Sequence, residues 1–198
     1  MFKHKGYFLA LAVLATTCAV PAAAQQAQPQ AAQALMAEWA AMYSPELKKK
    51  MMAVAPETRM QLMSIMVTHD RRSPQATMRQ VMQEIMADFQ TVSIALATDN
   101  GEMAADAARR LANHRLPKGG MLPYLPWDKI TTQDISTLPT FNMVVEGGAL
   151  KVAAAAEKGD FATAAQHFGE VMSGCVACHQ QFRGVPGVSD RLVAAPAK

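Results

Sequence analysis

Apolar side chains recur along this chain at steps of three and four, and no stretch alternates convincingly at steps of two. That spacing lines one face of a helix and argues against strands. Leu35, Met36, Trp39, Met42 and Tyr43 form the first such stripe. Ser44-Pro45-Glu46 then reads as a helix start, with Ser as N-cap and Pro at the first helical position, and a short helix is expected to about Ala53. Pro56-Glu57 begins another, through about Val67. Ser73-Pro74 repeats the start signal, and the helix it opens carries Met78, Met82, Ile85, Phe89, Val92 and Leu96 on one seam. Asp99-Asn100-Gly101 ends that helix. A second follows from about Glu102 to His114, with Met103, Ala107 and Leu111 inward. Leu138-Pro139 opens a third, capped by Ser136 or Thr137, whose apolar face is Phe141, Val144, Val145, Val152 and Ala155. Gly147-Gly148 inside it is costly, and a close approach to a neighbour would explain it. Gly159-Asp160 breaks the chain and caps a fourth helix, which Gly184 and Pro186 stop. Between the second and third, Pro117, Gly119, Gly120, Pro123 and Pro126 forbid a long helix over 115–136. Leu122, Tyr124, Leu125 and Trp127 in that stretch are expected to cap an open end of the core.

Composition supports the same picture. Ala, Met, Leu, Gln and Glu dominate, all good helix formers, and aromatic residues are only 6%. The region 51–66 is dense in Met; such thioethers suit either a soft ion such as Cu(I) or flexible core filling, and the second is the expectation here.

The first 24 residues read as a secretory leader. Lys3 and Lys5 give a charged start, Tyr7 to Val20 is apolar, and Ala22-Ala23-Ala24 offers a small-residue cleavage site. Cys18 is expected to leave with it, so of the three Cys two remain. Without the leader, 17 basic residues face 16 acidic ones, which is no footprint of a nucleic-acid binder. No other stretch is long and apolar enough to span a membrane. Residues 25–33, rich in Gln and Ala, are expected to lack structure, 25–73 to form a helical extension, and 186–198 to be a loose tail.

Both remaining cysteines stand in Cys175-Val176-Ala177-Cys178-His179. Two thiols three apart with an imidazole directly after is the pattern of c-type haem attachment. On a helix, positions i, i+3 and i+4 share a face, so all three side chains can address one object. The thiols can then add to two haem vinyl groups while His179 ligates the iron. A redox pair of the thioredoxin type expects a βαβ setting that this chain lacks, and a zinc site needs more ligands than one Cys pair supplies.

The run Gly159-Asp160-Phe161, Phe168-Gly169-Glu170-Val171, Cys175 to His179, Phe182 and Arg183 resembles the last helix of the class II cytochromes c, meaning cytochrome c prime and its low-spin relatives. The resemblance is specific over about 159–184, extends by pattern over 74–184, and is silent on 25–73. It implies an all-α protein: an antiparallel four-helix bundle over 74–185 with one covalent haem c on its C-terminal helix, preceded by the extension, which should be dispensable for haem attachment. It also implies that Cys175 and Cys178 form the thioethers and that His179 is the proximal ligand. Arg183 then sits beside that His and Phe182 touches the haem from the core, although a cation also suits a helix C-terminus. In this family the first bundle helix faces the open side of the iron, with an apolar residue in gas-binding members and a Met in electron carriers. Aligning on Phe89 and the turn at 99–101 puts Met82 at that position, with Met78 and Met86 one turn either way and His114 and His167 as weaker alternatives. Trp127 falls either at the haem edge or in ordinary packing. The expectation is therefore a periplasmic carrier of single electrons between redox protein partners, not an enzyme, with room for a homodimer. The alternatives are a five-coordinate haem protein that binds NO or CO, and a structural helical protein whose Cys pair is a redox or metal clip.

Overall fold

The computed structural model describes residues 22–73, 75–184 and 187–193. The expected leader falls outside these apart from Ala22-Ala23-Ala24, as do Pro74, Pro186 and residues 194–198. The described chain is all-helical, with no strand and only two isolated β-bridges. None of its helices is long and apolar enough to cross a membrane.

The first helix, α1 (Ala22–Met42), already covers the stretch expected to lack structure. Ala and Gln favour helix on their own, and Leu35 and Trp39 bury one side of the helix further along. Ser44 caps α2 (Pro45–Met52) through its hydroxyl, which accepts from the Leu47 amide, and α3 (Pro56–Val67) follows. In the Met-dense region Met63 and Met66 are core residues while Met52 and Met60 face solvent, so these thioethers do not converge on an ion.

The next helix starts later than expected. Ser73 accepts from the Gln75 and Ala76 amides and so caps a bend, not a helix. Thr77 and Gln80 instead form a reciprocal capping box that opens α4 (Met78–Ala97). Its buried side is Val81, Phe89, Val92 and Ala95; Met78 and Met82 are only half-buried and Met86 is exposed. Asn100 caps α5 (Gly101–Ala112). The irregular connection holds a 3-10 turn (Leu122–Tyr124) and the one-turn α6 (Thr132–Ile135). Then α7 (Leu138–Asn142) passes through a π turn (Met143–Gly147) into α8 (Gly148–Ala156) without a break in direction signalled by Pro or a cap. Asp160 caps α9 (Phe161–Phe182), whose hydroxyl-free carboxylate accepts from the Thr163 amide.

Helix α4 packs along α5, α5 along α8 and α8 along α9, whereas α4 and α9 touch only briefly. Small residues permit the close contacts. A Cβ on Gly148 would lie 2.9 Å from Val171 Cγ2, and one on Gly174 would lie 2.7 Å from Val144 Cγ1. Gly148 therefore answers the cost of the Gly pair: it lets α8 approach α9.

The extension packs into the core of the rest of the chain. Leu35, Trp39, Tyr43, Leu47, Leu62, Met63 and Met66 share one apolar cluster with Leu116, Leu122, Leu125, Trp127, Ile135, Leu138 and Phe182. Trp127 donates its indole N–H to the Leu122 carbonyl at 2.8 Å within that cluster, which is ordinary packing. This shared core removes the ground for expecting 25–73 to be dispensable. Nor are residues 187–193 loose. Val193 N donates to Met42 O at 2.7 Å, Ser44 N to Arg191 O at 2.9 Å, and the buried Ser189 hydroxyl to Pro123 O at 2.7 Å.

Candidate functional site

The cysteine motif lies entirely within α9, in its last three turns. Cys175 packs on a cluster made by Phe89, Leu111, Ala149 and Val171, with Ile85, Val145 and Phe168 around it. Cys178 packs on a second cluster, which holds Phe182 and residues of α1–α3. The two thiols thus pack on two different clusters of the core. Phe182 is buried and meets Phe141 edge-on at 5.7 Å.

Both thiols are half-buried and reduced, and burial raises the pKa of each. Cys178 is pushed up to about 11, first by burial and then by its neighbour Cys175. Thiols of this kind are overwhelmingly protonated near neutral pH. A catalytic redox pair needs the opposite, a depressed pKa and an electropositive setting.

His179 occupies the exposed side of α9 and makes no side-chain hydrogen bond or ion pair among the described residues. Arg183 is also exposed, at the C-cap, and its amide donates to His179 O. Exposed Met172 and Val176 lie on the same side of the helix as His179, so apolar surface flanks the imidazole. Across the thin α4–α9 contact, Phe89 and Phe168 stack at 4.2 Å. Ile85 and Cys175 belong to that same cluster, but Met82, one turn earlier on α4, does not. The structure therefore brings Cys175, Cys178 and Phe182 onto one helix face at the core and leaves His179, Arg183 and Met82 outside the clusters.

Residues so arranged fit a covalently held haem. Two half-buried thiols flank apolar surface, an uncommitted imidazole follows, and the adjoining α4–α9 pair touches only briefly. A cavity of about 470 Å³ lies elsewhere, lined by Ser73, Gln80, Glu84, Ala87 and Arg115 among others, and none of the motif residues borders it.

A second cluster was not foreseen as a unit. His69 follows α3, His114 follows α5 and Glu146 stands in the π turn, and their ligand atoms lie within 4.8 Å of one another. The two imidazole rings are 4.9 Å apart. His69 is buried, and burial alone would disfavour its charged form; the Glu146 carboxylate outweighs this and raises its pKa. Glu146 is held down to about 2, since both imidazoles overcome the effect of its own burial. No sequence pattern joins three residues so far apart. His167, by contrast, only meets the exposed Glu170 one turn on, at 3.1 Å.

Comparison of the chain with protein-family models, with curated proteins and with solved structures finds no match.

Proposed function

We propose that this protein is a periplasmic c-type cytochrome: one haem c is bound through Cys175, Cys178 and His179, and single electrons pass between redox protein partners. The observation that carries the reading is the placement of Cys175-x-x-Cys178-His179 within an unbroken helix, with both thiols half-buried against apolar core, where burial raises their pKa. That setting suits a thiol consumed in a permanent thioether and disfavours the redox-clip alternative. The packing order α4–α5–α8–α9 is compatible with an antiparallel four-helix bundle around the group.

Each residue has a part in this reading. Cys175 and Cys178 would supply the two sulfur links, and His179 would supply a nitrogen ligand to the iron. Phe182 and the cluster around Cys175 exclude water from one side. Arg183 places a cation one turn beyond His179, where it can offset a propionate. Met82 offers a thioether from α4, and its softness favours the ferrous form. When bound, a haem supplies a reversible one-electron couple between ferric and ferrous iron. The protein's contribution is to fix the ligands so that little rearranges as the electron comes or goes.

The test is one set of optical spectra on chain exported by cells that attach haem, taken oxidised and reduced, with and without CO. A low-spin spectrum indifferent to CO supports the carrier. A high-spin spectrum with rapid CO uptake would replace it by the gas-binding reading.

A further inference from the structure

We propose that His69, His114 and Glu146 bind one divalent first-row transition metal ion of the zinc class, through the two Nε2 atoms and the Glu146 carboxylate. The site is separate from the cysteine motif and does not rest on the haem reading.

The ring tautomers are set by the backbone. His69 Nδ1 lies 3.1 Å from the Ile65 carbonyl oxygen and His114 Nδ1 lies 2.9 Å from that of Arg115. A carbonyl can only accept, so each Nδ1 carries the proton and each neutral ring presents a bare lone pair at Nε2. Backbone carbonyls orient metal-binding imidazoles in this way. Both Nε2 atoms face the same carboxylate oxygen, Glu146 Oε1, at 3.3 and 3.5 Å. With both rings neutral, three acceptors therefore converge with no donor between them, so an ion would take the place that a proton on His69 otherwise fills. His69 is 2% exposed and its Nε2 has no hydrogen-bond partner, because the carboxylate oxygen, though near, lies off the ring's N–H direction. A buried nitrogen of this kind needs a proton or a cation to face.

The spacing fits an ion. Ligands about 2.0–2.2 Å from a tetrahedral centre are about 3.3–3.6 Å from one another. The two Nε2–Oε1 separations already match, and the third pair has to close from at most 4.8 Å. Two imidazoles and a carboxylate suit zinc, cobalt or ferrous iron, and not the all-oxygen cages of calcium or magnesium.

The frame around the ligands is built. Asp70 and Asn113, next in sequence to the two histidines, exchange hydrogen bonds at 2.6 and 3.4 Å. Leu116 N donates to Arg71 O at 2.9 Å, so 69–72 runs beside 113–116. Glu146 is brought in by the π turn, a distortion that recurs at functional sites. His114 and Glu146 are 20% and 18% exposed, which gives an ion a route in and leaves space for water as a further ligand. Arg72 is the cation that opposes binding, and its side chain is exposed. Arg71 and Arg115 are engaged by Glu84 instead. A bound ion would join the end of α3, the end of α5 and the π turn, and thereby fasten the extension to the rest.

The test uses the full chain after EDTA treatment, titrated with Co²⁺ and then Zn²⁺. It is run beside a Cys175→Ser/Cys178→Ser chain so that the thiols cannot supply ligands. One Co²⁺ per chain with the visible absorption of a four-coordinate site, displaced by Zn²⁺, is expected in both. Glu146→Gln, which keeps the shape, and His114→Asn should each weaken Zn²⁺ binding at least about tenfold. His167→Asn should leave it unchanged. The proposal is overturned if the chain takes up no Zn²⁺ at micromolar concentration. It is equally overturned if Glu146→Gln and His114→Asn bind as tightly as the parent, or if binding vanishes with the two thiols.

Discussion

Truncating Leu47 to Ala probes whether the extension and α9, the helix that carries the cysteine motif, share one core. Leu47 lies in α2, is 0% exposed, and belongs to the cluster that also holds Trp39, Trp127 and Phe182. Deleting three carbon atoms forfeits about 2.4 kcal/mol of transfer free energy at about 0.8 kcal/mol each. The cavity left behind raises the total toward about 5 kcal/mol if the helices cannot close on it. For a chain of this length each kcal/mol lowers Tm by about 2–4 °C, so a fall of about 5–20 °C is expected. Both tryptophans of the chain sit in this one cluster, so their fluorescence reports on it, while far-UV circular dichroism reports on all the helices. The two transitions should fall together. If fluorescence shifts and the main helical transition stays at the parent temperature, the extension is a separate unit and the shared-core argument is wrong.

Other outcomes follow from the same geometry. A chain beginning at Ser73 behind the leader lacks half of that cluster, and should yield little soluble haem protein; a normal yield would refute the integrated core. Met82→Leu preserves apolar volume at a half-buried position and should cost under about 1.5 kcal/mol, yet turn a low-spin spectrum high-spin; an unchanged spectrum moves the ligand elsewhere. In EDTA-treated protein the His69–Glu146 contact should give a pH-dependent stability. The raised pKa of His69 contributes stability that is fully present below its ordinary 6.5 and is lost as pH rises through the folded value. The lowered pKa of Glu146 contributes stability present above its ordinary 4.5 and lost as pH falls toward about 2. Parent Tm should thus exceed that of Glu146→Gln most between about pH 4.5 and 6.5; identical pH profiles for the two would show that the contact does not matter.

How much of this was legible in advance depends on range. Local signals read well: Ser44-Pro45 and Asp160 mark their helices, and the cysteine motif stands within one continuous helix. The start of α4 was misplaced because Ser73-Pro74 resembles a cap, although Thr77-x-x-Gln80 carries the stronger, reciprocal signal. That slip did not move the seam, but Val81 takes the buried place assigned to Met78 and Met82. Long-range pairing could not be read. Nothing in 187–193 announces that it is tied to Met42 and Ser44, and nothing in 25–73 announces Phe182 as a partner. His69, His114 and Glu146 come from three separated segments and meet only because the chain folds.

The central claim is that Cys175 and Cys178 hold haem covalently. The most direct measurement is the haem retained by exported protein after acid-organic extraction, taken for the parent, each single Cys→Ala variant and the double variant. The expected result is one haem kept by the parent, at most one thioether link in Cys175→Ala or Cys178→Ala, and none in the double variant. A parent chain that emerges colourless, or a double variant that keeps its haem, would contradict it.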